Sequence, residues 1–297
     1  QRQMCIRDRL RFALPNMGAM LATALAAIAE TSYVGRFGSP ALAGMALVFP
    51  FVMFQMMLSA GAMGGGVSSA VSRALGAGHP ERANALAVHA LWIALAAGAV
   101  YMVAMLTLGE ALLSLLAGQG EALAQAMAYA NVAFLGSVFV WVVNTLASVI
   151  RGSGNMAVPS GTLLVVALLQ VALGGALGLG WGPLPRLGMA GVAAGSVVAY
   201  GLGAAALWLY LVSGRSRIAL HVRGTPLRRA LFADILRVGA VACISPLQTV
   251  LTILILTRLV AQFGTDALAG YGIGTRLEFL LVPIAFAVGV ASVPLVG

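Results

Sequence analysis

Carboxylic acids inside apolar runs are the residues of this sequence with the clearest capacity for chemistry. Glu30 lies near the end of a long apolar run, Glu278 lies inside a later one, and Asp266 lies near the start of that later run. A charged side chain in an apolar setting is costly unless it is protonated, paired or reached by water, so such acids are functional candidates. We expect Glu30 to bind a coupling cation. Glu278 is either a second such carboxylate or the partner of Arg258 or another basic residue in a structural ion pair.

Neutral polar side chains in other apolar runs are candidates to line a cavity around that carboxylate. A cation needs oxygen ligands to replace its hydration shell, although each of these side chains is equally suited to an interhelical hydrogen bond worth about 1 kcal/mol. Arg276, two residues before Glu278, points to a different helix face and so forms no direct pair with it. The predicted cavity residues are Tyr33, Gln55, Asn144, Gln170, Gln248 and Arg276.

Familiar catalytic and metal-binding patterns do not stand out. The three histidines, His79, His89 and His221, are far apart in sequence, and neither a metal-ligand spacing nor a Ser/His/Asp arrangement accompanies them. The glycines between Gly61 and Gly66 have no preceding strand and no lysine, so they do not form a phosphate-binding loop. We therefore expect no catalytic residue, no metal and no cofactor, and only H⁺ or Na⁺ as a coupling ion.

The elements that carry these residues follow from composition. Of the 297 residues, 61% are apolar and 8% are charged, whereas soluble domains carry about 25% charged residues. This excludes an ordinary soluble enzyme, a secreted disulfide scaffold and a disordered chain. A bilayer core takes about 20 apolar residues of helix, and the sequence predicts an all-α polytopic membrane protein with spans at 12–34, 44–72, 86–108, 123–150, 157–180, 188–212, 236–260 and 270–297.

The arginines predict how these spans are oriented. All 17 basic residues are arginine, and cytoplasmic loops are enriched in such residues. We therefore expect a cytoplasmic N-terminus and no nucleic-acid partner. Further expectations are a multi-pass protein of the bacterial inner membrane, with the bilayer as its surroundings, and a monomeric state. The N-terminal side carries Arg11, Arg73, Arg82, Arg151, Arg215, Arg217, Arg223, Arg228, Arg229 and Arg237, and the opposite side carries Arg36, Arg186 and Arg258.

A degenerate internal repeat divides the chain. Gly38 and the segment 41–44 recur as Gly264 and 267–270. Six spans separate the copies, and because six is even the two copies enter the membrane from the same side, as in parallel transporter repeats. The predicted divisions are an artefactual leader at 1–9, a six-helix bundle at 10–212, a cytoplasmic loop at 213–234, and the first two helices of an incomplete second bundle at 235–297.

Glycine pairs at GxxxG spacing predict close helix packing, because small residues let two backbones approach. The pairs are Gly61 and Gly65, Gly174 and Gly178, Gly191 and Gly195, and Gly270 and Gly274.

Several segments together resemble the multidrug and toxic compound extrusion (MATE) transporters. They are ALPNMGAMLATALAAIAETSYVGRFGSPALAG, SRALGAGHPERA, RGSGN, LGMAGVAAGSVVAY and GTRLEFLLVPIAFAVGVASVPLVG, and the resemblance covers residues 10–297. It implies twelve helices in two six-helix bundles, of which this chain holds about the first eight. It also implies export of small cationic or amphipathic organic compounds in exchange for protons or sodium ions.

The same resemblance bears on individual residues. Glu30 stands where family members often carry an aspartate, and Gln170 and Asn144 resemble cavity positions of the family. Some members use a further acid in span five or seven, where this sequence offers Gly174 and the pair 248–249. A mechanism that needs a second acid there is therefore not supported.

Two other functions stay open at the level of sequence. A lipid-linked oligosaccharide flippase of related architecture needs a strongly cationic cavity for its pyrophosphate, and Arg276 is the main arginine inside a span. A membrane-embedded transferase needs clustered histidine or acidic residues at one membrane face, and the sequence shows no such cluster.

Overall fold

The chain forms a bundle of long helices. The computed structural model describes residues 18, 21–117, 120–182, 185–221 and 225–279, and within these ranges it contains helices, turns and no strand. Helix α1 comprises 21–34 and continues into a 3₁₀ turn at Gly35–Phe37. The other helices are α2 (Ser39–Met56), a π-helical segment (Met57–Met63), α3 (Gly64–Gly76), α4 (Pro80–Ala117), α5 (Glu121–Leu135), α6 (Ser137–Gly152), α7 (Ala157–Leu179), α8 (Gly188–Val212), α9 (Arg229–Ala242), α10 (Ile244–Ala261) and α11 (Thr265–Phe279).

The predicted membrane-spanning architecture is confirmed. Five helical units of the described chain are long and apolar enough to cross a bilayer, and a sixth is α5 with α6, which bend by 49° relative to each other. The predicted spans 12–34 and 270–297 lie partly outside the described residues, as the leader 1–9 does entirely. Helix α9 begins at Arg229, so the connection after α8 ends earlier than the expected boundary at Asp234.

The helices α2 with α3, α5 with α6, and α9 with α10 each form one membrane-length unit. Units joined by a turn or loop run in opposite directions and give the bundle two ends. At the first end, α1 meets α2, α4 meets α5, α7 meets α8 and α10 meets α11. We call this the α1–α2 end. At the other end, α3 meets α4 and α6 meets α7, and the basic connection to α9 begins. We call this the α3–α4 end.

The internal repeat is visible in the backbone. Gly38 and Gly264 have φ values of 97° and 102°, a region that favours glycine. Helices α2 and α11 each begin one residue later. The two helices pack against each other through equivalent positions: a Cβ on Gly272 would lie 2.5 Å from the Cβ of Ala46, the residue 226 positions earlier. The contact between α2 and α11 therefore lies near the pseudo-twofold axis that a parallel repeat requires.

Glycines bring α7 and α8 into close contact, as predicted for two of the four pairs. A Cβ on Gly195 would lie 2.2 Å from the backbone nitrogen of Gly174, and one on Gly191 would lie 2.5 Å from the carbonyl oxygen of Leu177. The other two pairs make no such contact with the described residues. Within the described part of the chain, a Cβ at Gly61, Gly65, Gly270 or Gly274 would meet nothing within 4 Å.

Candidate functional site

A cavity of about 110 Å³ lies inside the first bundle, toward the α1–α2 end. This volume is enough for several water molecules or part of an organic ligand. Most of its wall is apolar, with aromatic and methionine side chains from α2 and α5. The polar residues that line it are Thr23, Glu30, Gln55, Tyr129, Gln170, Ser196, Tyr200 and Arg276.

Glu30 is the acidic residue of this cavity. Its side chain is only 4% exposed. One carboxylate oxygen, Oε1, accepts hydrogen bonds from the hydroxyls of Tyr129 and Ser196, both at 3.4 Å, and Oε2 accepts one from Nε2 of Gln170 at 3.5 Å. These distances exceed the usual 2.5–3.2 Å range. Neutral donors thus surround the carboxylate loosely, and the adjoining cavity leaves room for a ligand.

The close contact between α7 and α8 explains why two of these donors converge. Gly174 lies one turn after Gln170 on α7, and Gly195 directly precedes Ser196 on α8. Because the two glycines let the helix backbones touch, the side chains of Gln170 and Ser196 lie at the same level of the bundle. Tyr129 comes from the buried face of α5, so four helices contribute to the environment of Glu30.

Arg276 reaches the cavity from α11. It is 7% exposed. Its Nη1 donates hydrogen bonds to the Ala27 carbonyl oxygen at 3.0 Å and to the Thr31 hydroxyl, and its guanidinium lies 5.1 Å from the centre of the Phe49 ring. These contacts tie the first helix of the chain to a helix of the second repeat.

Gln55 lines the cavity and also fixes the bend between α5 and α6. Its Nε2 donates to the carbonyl oxygen of Ser137 at 3.0 Å, and the Ser137 hydroxyl donates to its Oε1 at 3.4 Å. Ser137 begins α6 directly after Gly136, where a Cβ would lie 2.5 Å from the Val197 side chain. The bend is therefore stabilised from two sides, by a glutamine amide and by close packing of α8.

The remaining predicted site residues lie elsewhere. Asn144 is buried and donates to the Ser59 hydroxyl at 2.9 Å, so it joins α6 to the π-helical segment. Tyr33 is buried beside Gly174, while Gln248 and Glu278 are exposed. Among the ion pairs of the described residues, none joins Glu278 to Arg258.

The structure adds residues that sequence reasoning did not identify. Tyr129, Ser196 and Tyr200 line the cavity, and Thr31 holds the guanidinium. Each is a hydroxyl-bearing residue inside an apolar run, which is a weak signal in a single sequence. Within the described ranges, no group of three or more His, Cys, Asp and Glu residues is arranged to hold a metal ion.

Comparison with known proteins identifies the family. The MatE family model matches residues 15–175, which is more than half of the chain. The chain belongs to the MatE family. This MatE chain is 27% identical over 293 residues to "Probable multidrug resistance protein NorM" of Thermotoga maritima, and the alignment covers 98% of the chain and 62% of that relative. It is 32% identical to the protein of the same description from Deinococcus radiodurans, covering 95% of the chain and 62% of the relative.

Solved structures agree with this assignment. The MatE chain matches an inward-facing MATE family multidrug resistance transporter with a TM-score of 0.83 and 25% identity, over 90% of this chain and 60% of that one. It matches an outward-facing MATE transporter with a TM-score of 0.80 and 26% identity, over 96% of this chain and 62% of that one. These proteins are transporters and not enzymes. The chain spans a little under two thirds of the length of the relatives it matches.

Proposed function

We propose that the protein is a secondary-active exporter that moves small cationic or amphipathic organic compounds out of the cell in exchange for protons or sodium ions. The observation that supports this most directly is the setting of Glu30: a buried carboxylate, bound only by long hydrogen bonds from neutral donors, next to open volume. Membership of the MatE family supports the same function.

Exchange follows from competition for one carboxylate. Burial disfavours an isolated charge, so a proton or a small cation stabilises Glu30 when the cavity holds no cargo. An arriving organic cation stabilises the ionised carboxylate instead and displaces the first ion. The Tyr129, Ser196 and Gln170 side chains can turn oxygen atoms toward a small cation, and the Phe49 ring and the Met53 and Met56 side chains offer adaptable apolar contacts to varied cargo.

The proposed orientation follows from the arginines of the two ends. The α3–α4 end carries Arg73, Arg82 and Arg151 along with the basic connection to α9, and by the positive-inside rule it faces the cytoplasm. Glu30 is near the end of α1, so the cavity would then lie in the outer half of the bilayer.

The decisive experiment measures proton release from proteoliposomes when a fluorescent organic cation is added. We expect Glu30→Gln to reduce cation-driven proton release at least tenfold, because the amide keeps the size of the side chain but has no acidic proton to release. Glu110→Gln is the matched control, since Glu110 is an exposed acid of α4 outside the cavity. Equal release by the Glu30→Gln variant and the unmodified protein would remove Glu30 from the mechanism. Imposed proton and sodium gradients, compared in the same vesicles, identify the coupling ion.

The flippase alternative receives less support from the cavity. A pyrophosphate group needs several cationic partners, whereas Arg276 is the one basic residue among the described residues of the wall, and Glu30 faces the same space. Failure of both ion gradients to drive cation export, together with movement of a lipid-linked oligosaccharide in vesicles, would favour the flippase. The transferase alternative has no cluster of acids and histidines among the described residues.

A further inference from the structure

The cavity contains one charge of each sign. Among the described residues of its wall, Glu30 and Arg276 are the two that carry a formal charge, and both side chains are buried. Glu30 belongs to α1 in the first bundle, and Arg276 belongs to α11 in the second repeat. With the carboxylate ionised, the empty cavity is therefore neutral overall.

The two groups attract each other without forming a direct ion pair. Of the described residues, Arg82 and Asp234 have side chains that meet the distance of a salt bridge, and Glu30 and Arg276 do not. The guanidinium is instead held by Ala27 and Thr31, which lie three residues before and one residue after Glu30 on the same helix. Both groups are buried, so water screens the attraction between the carboxylate and the guanidinium only weakly.

Arg276 lies between the Glu30 cavity and a second open volume. This second cavity measures about 340 Å³ and lies between α1 and α11. One turn earlier on α11, Gly272 lies against Ala46 of α2, where an added Cβ would come within 2.5 Å of the Ala46 Cβ. The guanidinium thus lies between two open volumes, close to the contact between the two repeats.

We propose that Arg276 is a tethered countercharge for Glu30, which balances the ionised carboxylate while neither a coupling ion nor cargo occupies the cavity, and which competes with the positive charge of the cargo. This inference rests on the proposed function, because it takes Glu30 as the cargo-binding group. A cationic cargo adds a second positive charge to the cavity, and the repulsion between this charge and Arg276 weakens its binding. Arg276 therefore sets how tightly the site holds singly charged cations and disfavours cargo with two positive charges.

Other titratable groups near the pair are tyrosines. Tyr33 on α1, Tyr129 on α5 and Tyr200 on α8 interact electrostatically with Glu30, and the first two also interact with Arg276. A phenol is neutral at physiological pH. Hence the charge balance of the described cavity depends on the carboxylate and the guanidinium.

Equilibrium binding of ethidium, a singly charged organic cation, to the purified protein tests this inference. We expect Arg276→Gln to bind ethidium at least about tenfold more tightly, within the range of typical coupling between two sites. Arg276→Lys keeps the positive charge and should therefore bind ethidium more weakly than Arg276→Gln does. In the double variant Glu30→Gln with Arg276→Gln, this gain in ethidium affinity should disappear. The matched control is Arg186→Gln, because Arg186 also lies over an aromatic ring, that of Phe37, but is exposed and outside the cavity.

The outcomes separate this inference from the proposed function. If Glu30→Gln alone binds ethidium as tightly as the unmodified protein, the proposed function fails. If Glu30→Gln weakens binding but Arg276→Gln leaves it unchanged or weaker, only the countercharge is overturned. If Arg276→Gln does not fold, the double variant Glu30→Gln with Arg276→Gln is purified and tested for a cooperative thermal unfolding transition. If adding Glu30→Gln restores folding, the result supports the countercharge, because removing both charges leaves neither of them unpaired. If folding is not restored, the result contradicts the countercharge.

Discussion

Two amide side chains of similar chemistry have different surroundings in this protein. Gln170 faces the cavity and donates to the Glu30 carboxylate, whereas Asn144 does not line the cavity and donates to the Ser59 hydroxyl and, at 3.7 Å, to the sulfur of Met56. We expect Gln170→Leu to weaken ethidium binding several-fold, because Glu30 loses a donor and the cavity loses an oxygen. The check is the dissociation constant of the purified variant. An unchanged constant would show that the 3.5 Å contact has no role in binding.

Asn144→Leu should affect stability instead. Interhelical hydrogen bonds of this kind contribute about 0.6–2 kcal/mol in membrane proteins, so the thermal unfolding midpoint in detergent should fall while the ethidium dissociation constant stays the same. Gln248→Leu is a suitable control, because Gln248 is an exposed amide whose removal should leave the midpoint unchanged. If the thermal midpoint falls for both variants, the loss of stability is not specific to the hydrogen bond between Asn144 and Ser59.

At the scale of single residues, sequence reasoning identified Glu30, Gln55, Gln170 and Arg276, all of which line the cavity. It succeeded because a polar side chain in an apolar run needs a partner or a cavity. It could not separate these from Asn144 or Tyr33, since the rotation of each helix about its axis depends on contacts with helices far away in sequence. For the same reason, Tyr129 and Ser196 could not be identified as cavity residues from the sequence.

The packing of α7 against α8 gives a prediction at the scale of the helix. Gly195→Ala should destabilise the protein by more than about 1 kcal/mol, because its Cβ would lie 2.2 Å from the backbone of Gly174. Gly65→Ala should be neutral or stabilising, since that position is open and alanine favours the helix. The measurement is the thermal midpoint of each variant. Equal effects of the two substitutions would show that α7 and α8 are not in close contact.

Helices were predictable from the sequence in number and approximate length but not in shape. The eight apolar runs correspond to α1, to the units 39–76, 80–117 and 121–152, to α7 and α8, and to the units 229–261 and 265–279. The run 123–150 gave no sign of the bend at Gly136, because glycine alone is tolerated in a straight helix. The bend depends on the approach of Val197 and on the amide of Gln55, which are tertiary contacts.

For the molecule as a whole, the internal repeat explains why the site spans two halves. A parallel repeat places equivalent helices next to each other at the pseudo-twofold axis, and here α2 meets α11 through Ala46 and Gly272. Arg276 lies one turn beyond that contact, so it is a residue of one half that faces the cavity of the other. Movement of the second repeat relative to the first bundle would therefore change the distance between the Glu30 carboxylate and the Arg276 guanidinium.

Orientation of the whole chain in the membrane can be tested with two exposed turns at opposite ends. Ala77 lies in the turn between α3 and α4, and Phe263, 82% exposed, lies in the turn between α10 and α11. In variants with Cys5 and Cys243 replaced by serine, we introduce a single cysteine by Ala77→Cys or by Phe263→Cys. Because arginines concentrate at the α3–α4 end, a membrane-impermeant maleimide added to intact cells should label Phe263→Cys and not Ala77→Cys. Permeabilised cells should label both and confirm that Ala77→Cys is reactive. The reverse pattern would place the Glu30 cavity in the cytoplasmic half of the bilayer, and cargo would then reach the carboxylate directly from the cytoplasm.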